Sequence, residues 1–184
     1  WNTNQFEEGG KGFSFQKDEP LLMSYGDNPD FTASDIVNTW EEESIANVLF
    51  GYGEEQYARR IAKRIVLERA EKPIATAKEL ADIIADSVPF FYRRGKINPA
   101  TKSFQALRIA VNDELKALAE GLEKAFSILS PQGRMAVISF HSTEDRIVKN
   151  FFRELQAQDK ATLINKKPLT PSRSEVNENP RSRS

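Results

Sequence analysis

Residues 130–146 read SPQGRMAVISFHSTEDR. A long helical pattern stops at Leu129, Pro131 and Gly133 punctuate a turn, and Met135–Phe140 is an almost unbroken apolar run. A short apolar run between turn signals predicts a strand covered on both faces. The run ends at His141, the only histidine of the protein, and a charged, helix-like segment follows. Helix, turn, covered strand and helix is the rhythm of an α/β sheet. His141, Ser142 and Thr143 then fall at the C-terminal end of the strand, where open α/β sheets collect ligands.

The segments on either side are mostly helical. Thr32 and Asp35 have capping-box spacing, and Asp35–Trp40 and Glu41–Phe50 read as short helices. Gly51 and Gly53 are expected to end the second. Glu54 then opens a third helix to about Ala70, with Ile61, Ile65 and Val66 on its apolar stripe. Thr76 and Glu79 repeat the capping pattern before Leu80, Ile83, Ile84 and Val88, and Pro89 stops the run. Residues 32–90 thus predict four short helices and no strand. From about Thr101, apolar residues recur at three and four from Phe104 through Leu107, Val111, Leu115, Leu118, Leu122 and Phe126 to Leu129. This predicts one helix of about 28 residues, roughly 42 Å long. Gln105, Arg108 and Asn112 line another face of it, suited to RNA, to a neighbouring loop or simply to water.

Glu144–Gln158 predicts a helix that buries Ile147, Val148, Phe151, Phe152 and Leu155, capped by Ser142 or Thr143. Ala161–Ile164 is a short strand candidate, and the remainder reads as loop. Residues 160–184 hold six basic and two acidic side chains, a local charge of +4. Residues 1–31 have no sustained period, yet Phe13, Phe15, Leu21, Leu22, Met23 and Tyr25 are too apolar for a tail. They predict an ordered loop over a core or a wall of a ligand pocket.

Composition narrows the function classes. The chain has 184 residues, 39% of them hydrophobic, and a formal net charge of -1. Whole-chain charge therefore gives no general case for nucleic acid. Cysteine is absent, so disulfides and thiolate metal sites are excluded. No apolar run approaches the length of a membrane span, and the first residues lack the pattern of a signal peptide. The expected setting is cytoplasmic, without a membrane partner. Against this balance, FFYRRGKINPATK, residues 90–102, interleaves three aromatics with four cations. Such a linker can stack on unpaired bases and neutralise phosphates, with Arg93 and Arg94 foremost, or anchor itself while its cations face water.

Residue chemistry alone leaves the site open. A lone histidine excludes a histidine-rich zinc site. His141 can act as a general base oriented by Glu144 or Asp145, or hold the strand-to-helix turn by hydrogen bonds. The sequence has no G-x-S-x-G, no G-x-G-x-x-G and no P-loop.

Four stretches together carry a resemblance. GKGFSFQKDEPLLM (residues 10–23), TASDIVNTWEEESIANVLFGYGEEQYARRIAKRIV (32–66), NPATKSFQALRIAVNDEL (98–115) and GRMAVISFHSTEDRIVKNFF (133–152) resemble the MraW/RsmH family. That family comprises S-adenosylmethionine-dependent methyltransferases acting on the N4 amine of a cytosine in small-subunit ribosomal RNA. The resemblance implies an α/β fold, a partial Rossmann-like class I methyltransferase core with an inserted all-helical domain. Residues 1–31 would be a core loop, 32–100 the inserted RNA-recognition domain, and 101–184 the C-terminal part of the core. It also implies a fragment, lacking the N-terminal half with the main cofactor motif and the last strand, and inactive alone.

Carried over by position, the resemblance makes Ser139 and His141 catalytic candidates. Phe13, Ser14 and Phe15 become cofactor-binding candidates. Arg93, Arg94, Lys102, Gln105, Arg108, Asn112, Phe140 and Ser142 become contacts to substrate RNA. Leu22, Ser24, Asn98, Lys102 and Thr143 depart from the residues usual in the family. The implied cofactor is S-adenosylmethionine and the implied partner is small-subunit ribosomal RNA. An unclosed sheet edge can pair with a second copy to give a homodimer. The competing reading is a helical RNA-binding or protein-interaction module without catalysis.

Overall fold

The computed structural model describes residues 9–27, 29–165, 167–179 and 182. The basic side chains expected at Lys166, Arg181 and Arg183 lie outside that set. The chain divides into two compact units, up to Asp113 and from Glu114 onward.

The first unit is helical. It contains α1 (Ala33–Thr39), α2 (Glu42–Gly53), α3 (Ala58–Glu71), α4 (Ala77–Ser87), the single turn α5 (Phe90–Arg93) and α6 (Thr101–Asn112). Thr32 caps α1 with the reciprocal Asp35 bond that the sequence spacing predicts. Thr76 caps α4 by accepting from the Glu79 N–H. The apolar stripes bury Ile36, Ile45, Leu49, Ile61, Ile65, Leu80, Ile84 and Leu107 in one core, with α2 against α3 and α6 and α3 against α4.

Two boundaries differ from the sequence reading. α2 runs through Gly51 to Gly53, and Glu54 is its left-handed cap (φ 50°, ψ 38°), donating to the Leu49 and Phe50 carbonyls. Helix α3 therefore begins only at Ala58. At Gly53, a Cβ would overlap the Lys102 carbonyl oxygen and lie 3.1 Å from Ala106 Cβ. The glycine is what lets α2 and α6 approach so closely.

Before α1, residues 9–27 and 29–32 form an ordered loop over this core, and residues 1–8 and 28 of the expected loop lie outside the described residues. Leu21 and Met23 are buried. The Leu21 N–H donates to Ala75, Met23 to Lys11, Ala33 to Leu22 and Ala77 to Glu19. Pro20 and Thr76 form an isolated antiparallel bridge. Gly12 takes φ +70° where any Cβ would overlap the Pro20 carbonyl, so this crossing requires glycine.

The second unit holds α7 (Glu114–Ser127), α8 (Ser142–Ala157) and α9 (Arg173–Glu178). α7 and α8 pack through Phe126 and Phe151, edge to face at 6.3 Å, with Leu122, Val148 and Leu155 buried. The single long helix expected over 101–129 is two helices. Asp113 at the break is left-handed (φ 47°, ψ 40°), a conformation that Asp tolerates better than most side chains. Ser172 and Glu175 form a capping box at α9, where the sequence was read as loop.

The covered strand at Met135–Phe140 is not found. No strand ladder occurs among the described residues, there or at Ala161–Ile164. Exposure alternates from Met135 to Phe140, as in an extended segment covered on one side only. Ile138 is 83% and Phe140 47% exposed. An apolar run specifies a strand's appetite for cover, but pairing needs a neighbouring strand, and the described residues supply none.

Candidate functional site

Each unit carries its own share of the candidate residues. In the second, the apolar segment delivers Ser139, Phe140 and His141 to the start of α8. His141 is the N-cap of that helix, in place of the expected Ser142 or Thr143. Its Nδ1 accepts from the Glu144 N–H at 3.3 Å. Its Nε2 lies 3.5 Å from Glu144 Oε1, and both side chains are largely buried. The other Glu144 oxygen accepts from the Phe140 N–H at 2.9 Å. Glu144 thus clamps both residues, whereas Asp145 faces Lys149 at 3.5 Å. Of the two orienters considered for His141, Glu144 is the one in place. A neutral imidazole whose Nδ1 accepts carries its proton on Nε2. In this pose His141 can donate from Nε2, and it takes up a proton only by giving up the cap. Ser139 is half-buried, and Ser142 is exposed on the first turn of α8.

In the first unit, the loop and α6 are joined through Asn112. Its side-chain oxygen accepts from the Tyr25 N–H at 2.9 Å. Its amide nitrogen donates to the Met23 carbonyl at 2.7 Å and to Arg108 at 2.8 Å. Between these bonds Met23 sits at φ 56°, the left-handed region. Of the roles open to Asn112, holding the neighbouring loop is the one with visible bonds. Arg108 is nearly buried and Gln105 partly so.

Phe13 stacks on Tyr25 at 5.5 Å, and Phe15 meets Phe104 edge to face at 5.5 Å. Ser14 Oγ accepts from the Gln16 N–H. Turned to these internal partners, the three residues can wall a cofactor site but do not fit one as its cradle. None of them directs a charged group outward, and the tight glycine at position 12 serves the Pro20 crossing.

The linker residues divide. Arg93 pairs with Asp86 at 3.0 Å. Lys102 Nζ donates to the Glu54 carbonyl at 3.0 Å, at the C-terminal end of α2 where a cation is favoured. The Arg94 guanidinium lies 4.3 Å from the Phe90 ring centroid. Tyr92 turns inward, edge to face with Tyr57 at 4.9 Å, and its hydroxyl donates to Glu55 Oε2 at 2.8 Å. Glu55 is fully buried and also accepts from the Tyr57 N–H at 2.9 Å. Burial, and then the Glu55 carboxylate, hold the Tyr92 phenol well above its usual range. Sequence reading missed this tether. Its only trace was one tyrosine among two phenylalanines, the residue whose hydroxyl needs a partner when buried.

Among the described residues no cluster of three or more His, Cys, Asp or Glu could hold a metal, and no helix is long and apolar enough to cross a membrane. Residues 2–184 match the MraW methylase family. The chain belongs to that family. It is 51% identical over 183 residues to the ribosomal RNA small subunit methyltransferase H of Synechococcus elongatus, covering 100% of this chain and 60% of that protein. It is 48% identical over 194 residues to the protein of that name from Treponema denticola (97% and 62%) and 51% over 174 residues to one from Sulfurihydrogenibium sp. (95% and 59%). The chain thus spans about 60% of the length of these relatives.

Proposed function

We propose that this chain is part of a ribosomal RNA methyltransferase that moves a methyl group from S-adenosylmethionine to the N4 amine of a cytosine in the small-subunit RNA. One observation carries the reading: the match to methyltransferases of that RNA runs through practically the whole chain at about half identity. In this reading the methyl donor is held mainly outside these residues. The segment ending at Phe140 belongs to a Rossmann-like sheet, residues 32–100 form the inserted RNA-recognition domain, and residues 101–184 return to the core. The setting is cytoplasmic, and the chain alone is inactive.

What these residues contribute is treatment of the base. A cytosine in folded RNA must be unstacked before its amine can be reached. It must then be held with the nitrogen lone pair aimed at the methyl, and the amine must lose a proton as it is methylated. Phe140, half-exposed at the end of the extended segment, offers a ring for stacking. Ser139 and His141 flank it in the chain, and the Nε2 of His141, buried against Glu144, reaches the base only if the ring turns outward. Phe13, Ser14 and Phe15 border the donor, and Gln105 and Ser142 meet the RNA, with the buried Arg108 on α6 placed to support rather than touch it.

The test is methyl transfer by the complete protein to small-subunit RNA, with the product base mapped as N4-methylcytosine. His141→Ala is expected to lower the rate at least ten-fold. A full rate in that variant removes His141 from the mechanism. RNA binding without any transfer by the complete protein favours the non-catalytic helical module instead.

A further inference from the structure

Phe90 and Phe91 are 65% and 71% exposed, on a short turn that is otherwise well anchored. Large apolar residues left in water at adjacent positions form a patch that asks for a partner. The exposure is not a fraying end. The next residue, Tyr92, is pinned inward by the Glu55 carboxylate and the Tyr57 ring. Pinning the middle of Phe-Phe-Tyr-Arg-Arg turns its neighbours outward.

The linker's own charges have one sign, with the Asp86 carboxylate lying against Arg93 beside it. Residues 90–102 contain Arg93, Arg94, Lys96 and Lys102 and no carboxylate, in a chain whose net charge is -1. Arg93 and Lys102 are engaged within the protein, by Asp86 and by the Glu54 carbonyl. Arg94 and Lys96 are exposed, and Arg94 already lies against a ring. Exposed rings with adjacent cations are the elements of a sequence-tolerant single-strand site: rings stack on bases and cations follow phosphates. A protein-binding core would be depleted in lysine.

We propose that Phe90, Phe91, Arg94 and Lys96 form a platform for single-stranded RNA, with Tyr92 and Glu55 holding it in shape. The proposal deepens the methyltransferase reading, on which its choice of RNA rests: the platform would grip unpaired nucleotides near the target cytosine.

The experiment measures anisotropy of a dye-labelled single-stranded oligoribonucleotide of about ten nucleotides titrated with the 184-residue chain, over a range of salt. Wild type is expected to bind the single strand more tightly than a duplex of the same sequence. The double variant Phe90→Ala/Phe91→Ala, with helix content checked by circular dichroism, is expected to bind roughly ten-fold or more weakly. Arg94→Ala/Lys96→Ala is expected to lower the slope of log affinity against log salt by about 0.7 per lost phosphate contact. No binding by wild type, equal binding of duplex, or unchanged affinity and slope in both variants overturns the proposal. So does self-association that the Phe variant abolishes while RNA binding stays intact. Methyl transfer by the complete protein alongside undiminished RNA binding by the Phe variant rejects the platform and leaves the methyltransferase reading standing. RNA binding that drops in the variant, with no transfer by the complete protein, does the reverse.

Discussion

Alanine at Gly53 should destabilise the first unit, although alanine is the better helix former. Two effects oppose each other. Within a helix, Gly to Ala is worth up to about 1 kcal/mol through backbone entropy. Against this, the new methyl would overlap the Lys102 carbonyl oxygen and crowd Ala106 Cβ at 3.1 Å. The obstacle is backbone in the first turn of α6, so no side-chain rotation relieves it. Separating α2 from α6 loosens packing around Leu49, Ala106 and Leu107, all in the same core. Overpacking of this kind costs about 1–3 kcal/mol, and a rigid obstacle belongs at the upper end. The net expectation is a loss of about 2 kcal/mol. Gly51 supplies the control, because it lies in the same helix and a Cβ there meets nothing within 4 Å. Gly51→Ala should stabilise by up to about 1 kcal/mol. Urea unfolding followed by Trp40, which stacks on Phe31 in this unit, reads both variants in a Trp1→Phe background. With an m-value of about 2 kcal/mol/M, the Gly53 midpoint should fall by about 1 M while the Gly51 midpoint rises. A Gly53→Ala midpoint at or above wild type would refute the close approach of the two helices.

Asn112→Ala removes two bonds that tie the loop to α6 and hold Met23 at positive φ. At about 0.5–1.5 kcal/mol each, the loss should be about 1–3 kcal/mol, with faster hydrogen exchange at the Tyr25 amide. Unchanged exchange there would contradict the clamp. Tyr92→Phe leaves the buried Glu55 carboxylate without the Tyr92 hydroxyl as donor and should cost about 1–3 kcal/mol at neutral pH. Because the folded-state pKa of Tyr92 is raised, its contribution is full below the unfolded value near 10 and declines as pH climbs toward the folded value. Wild type and Tyr92→Phe should therefore converge in stability above about pH 10, and parallel curves would disprove the linkage.

Much of the helical unit was legible because its signals are local. A hydroxyl three residues before an acid fixes a helix start at Thr32 and at Thr76 whatever packs nearby. The break at Asp113 was not legible for the same reason. One left-handed residue barely disturbs the run from Val111 to Leu115, so the apolar spacing reads as one helix. His141 carried its signal in the Glu144 three residues on, a capping-box spacing with imidazole replacing the hydroxyl. The extended segment before it failed differently. Its apolar run reports a demand for cover, and cover is supplied by residues distant in sequence.

This division bears on how the RNA-facing set is to be tested. Position alone makes Lys102, Arg93 and Asn112 equal candidates with Arg94, yet their side chains have different tasks. Lys102 holds the end of α2, Arg93 neutralises Asp86, and Asn112 supports a strained loop. Loss of RNA binding on replacing any of these three would not distinguish a missing contact from a displaced scaffold. Arg94 and Lys96 are exposed, and among the described residues their removal disturbs no hydrogen bond or ion pair that ties one helix to another. A fall in salt dependence on their replacement, with unfolding unchanged, therefore reports phosphate contact itself. If the salt slope instead moves only with Lys102 and Asn112, and only in step with lost stability, the basic linker is scaffold and the RNA is held elsewhere.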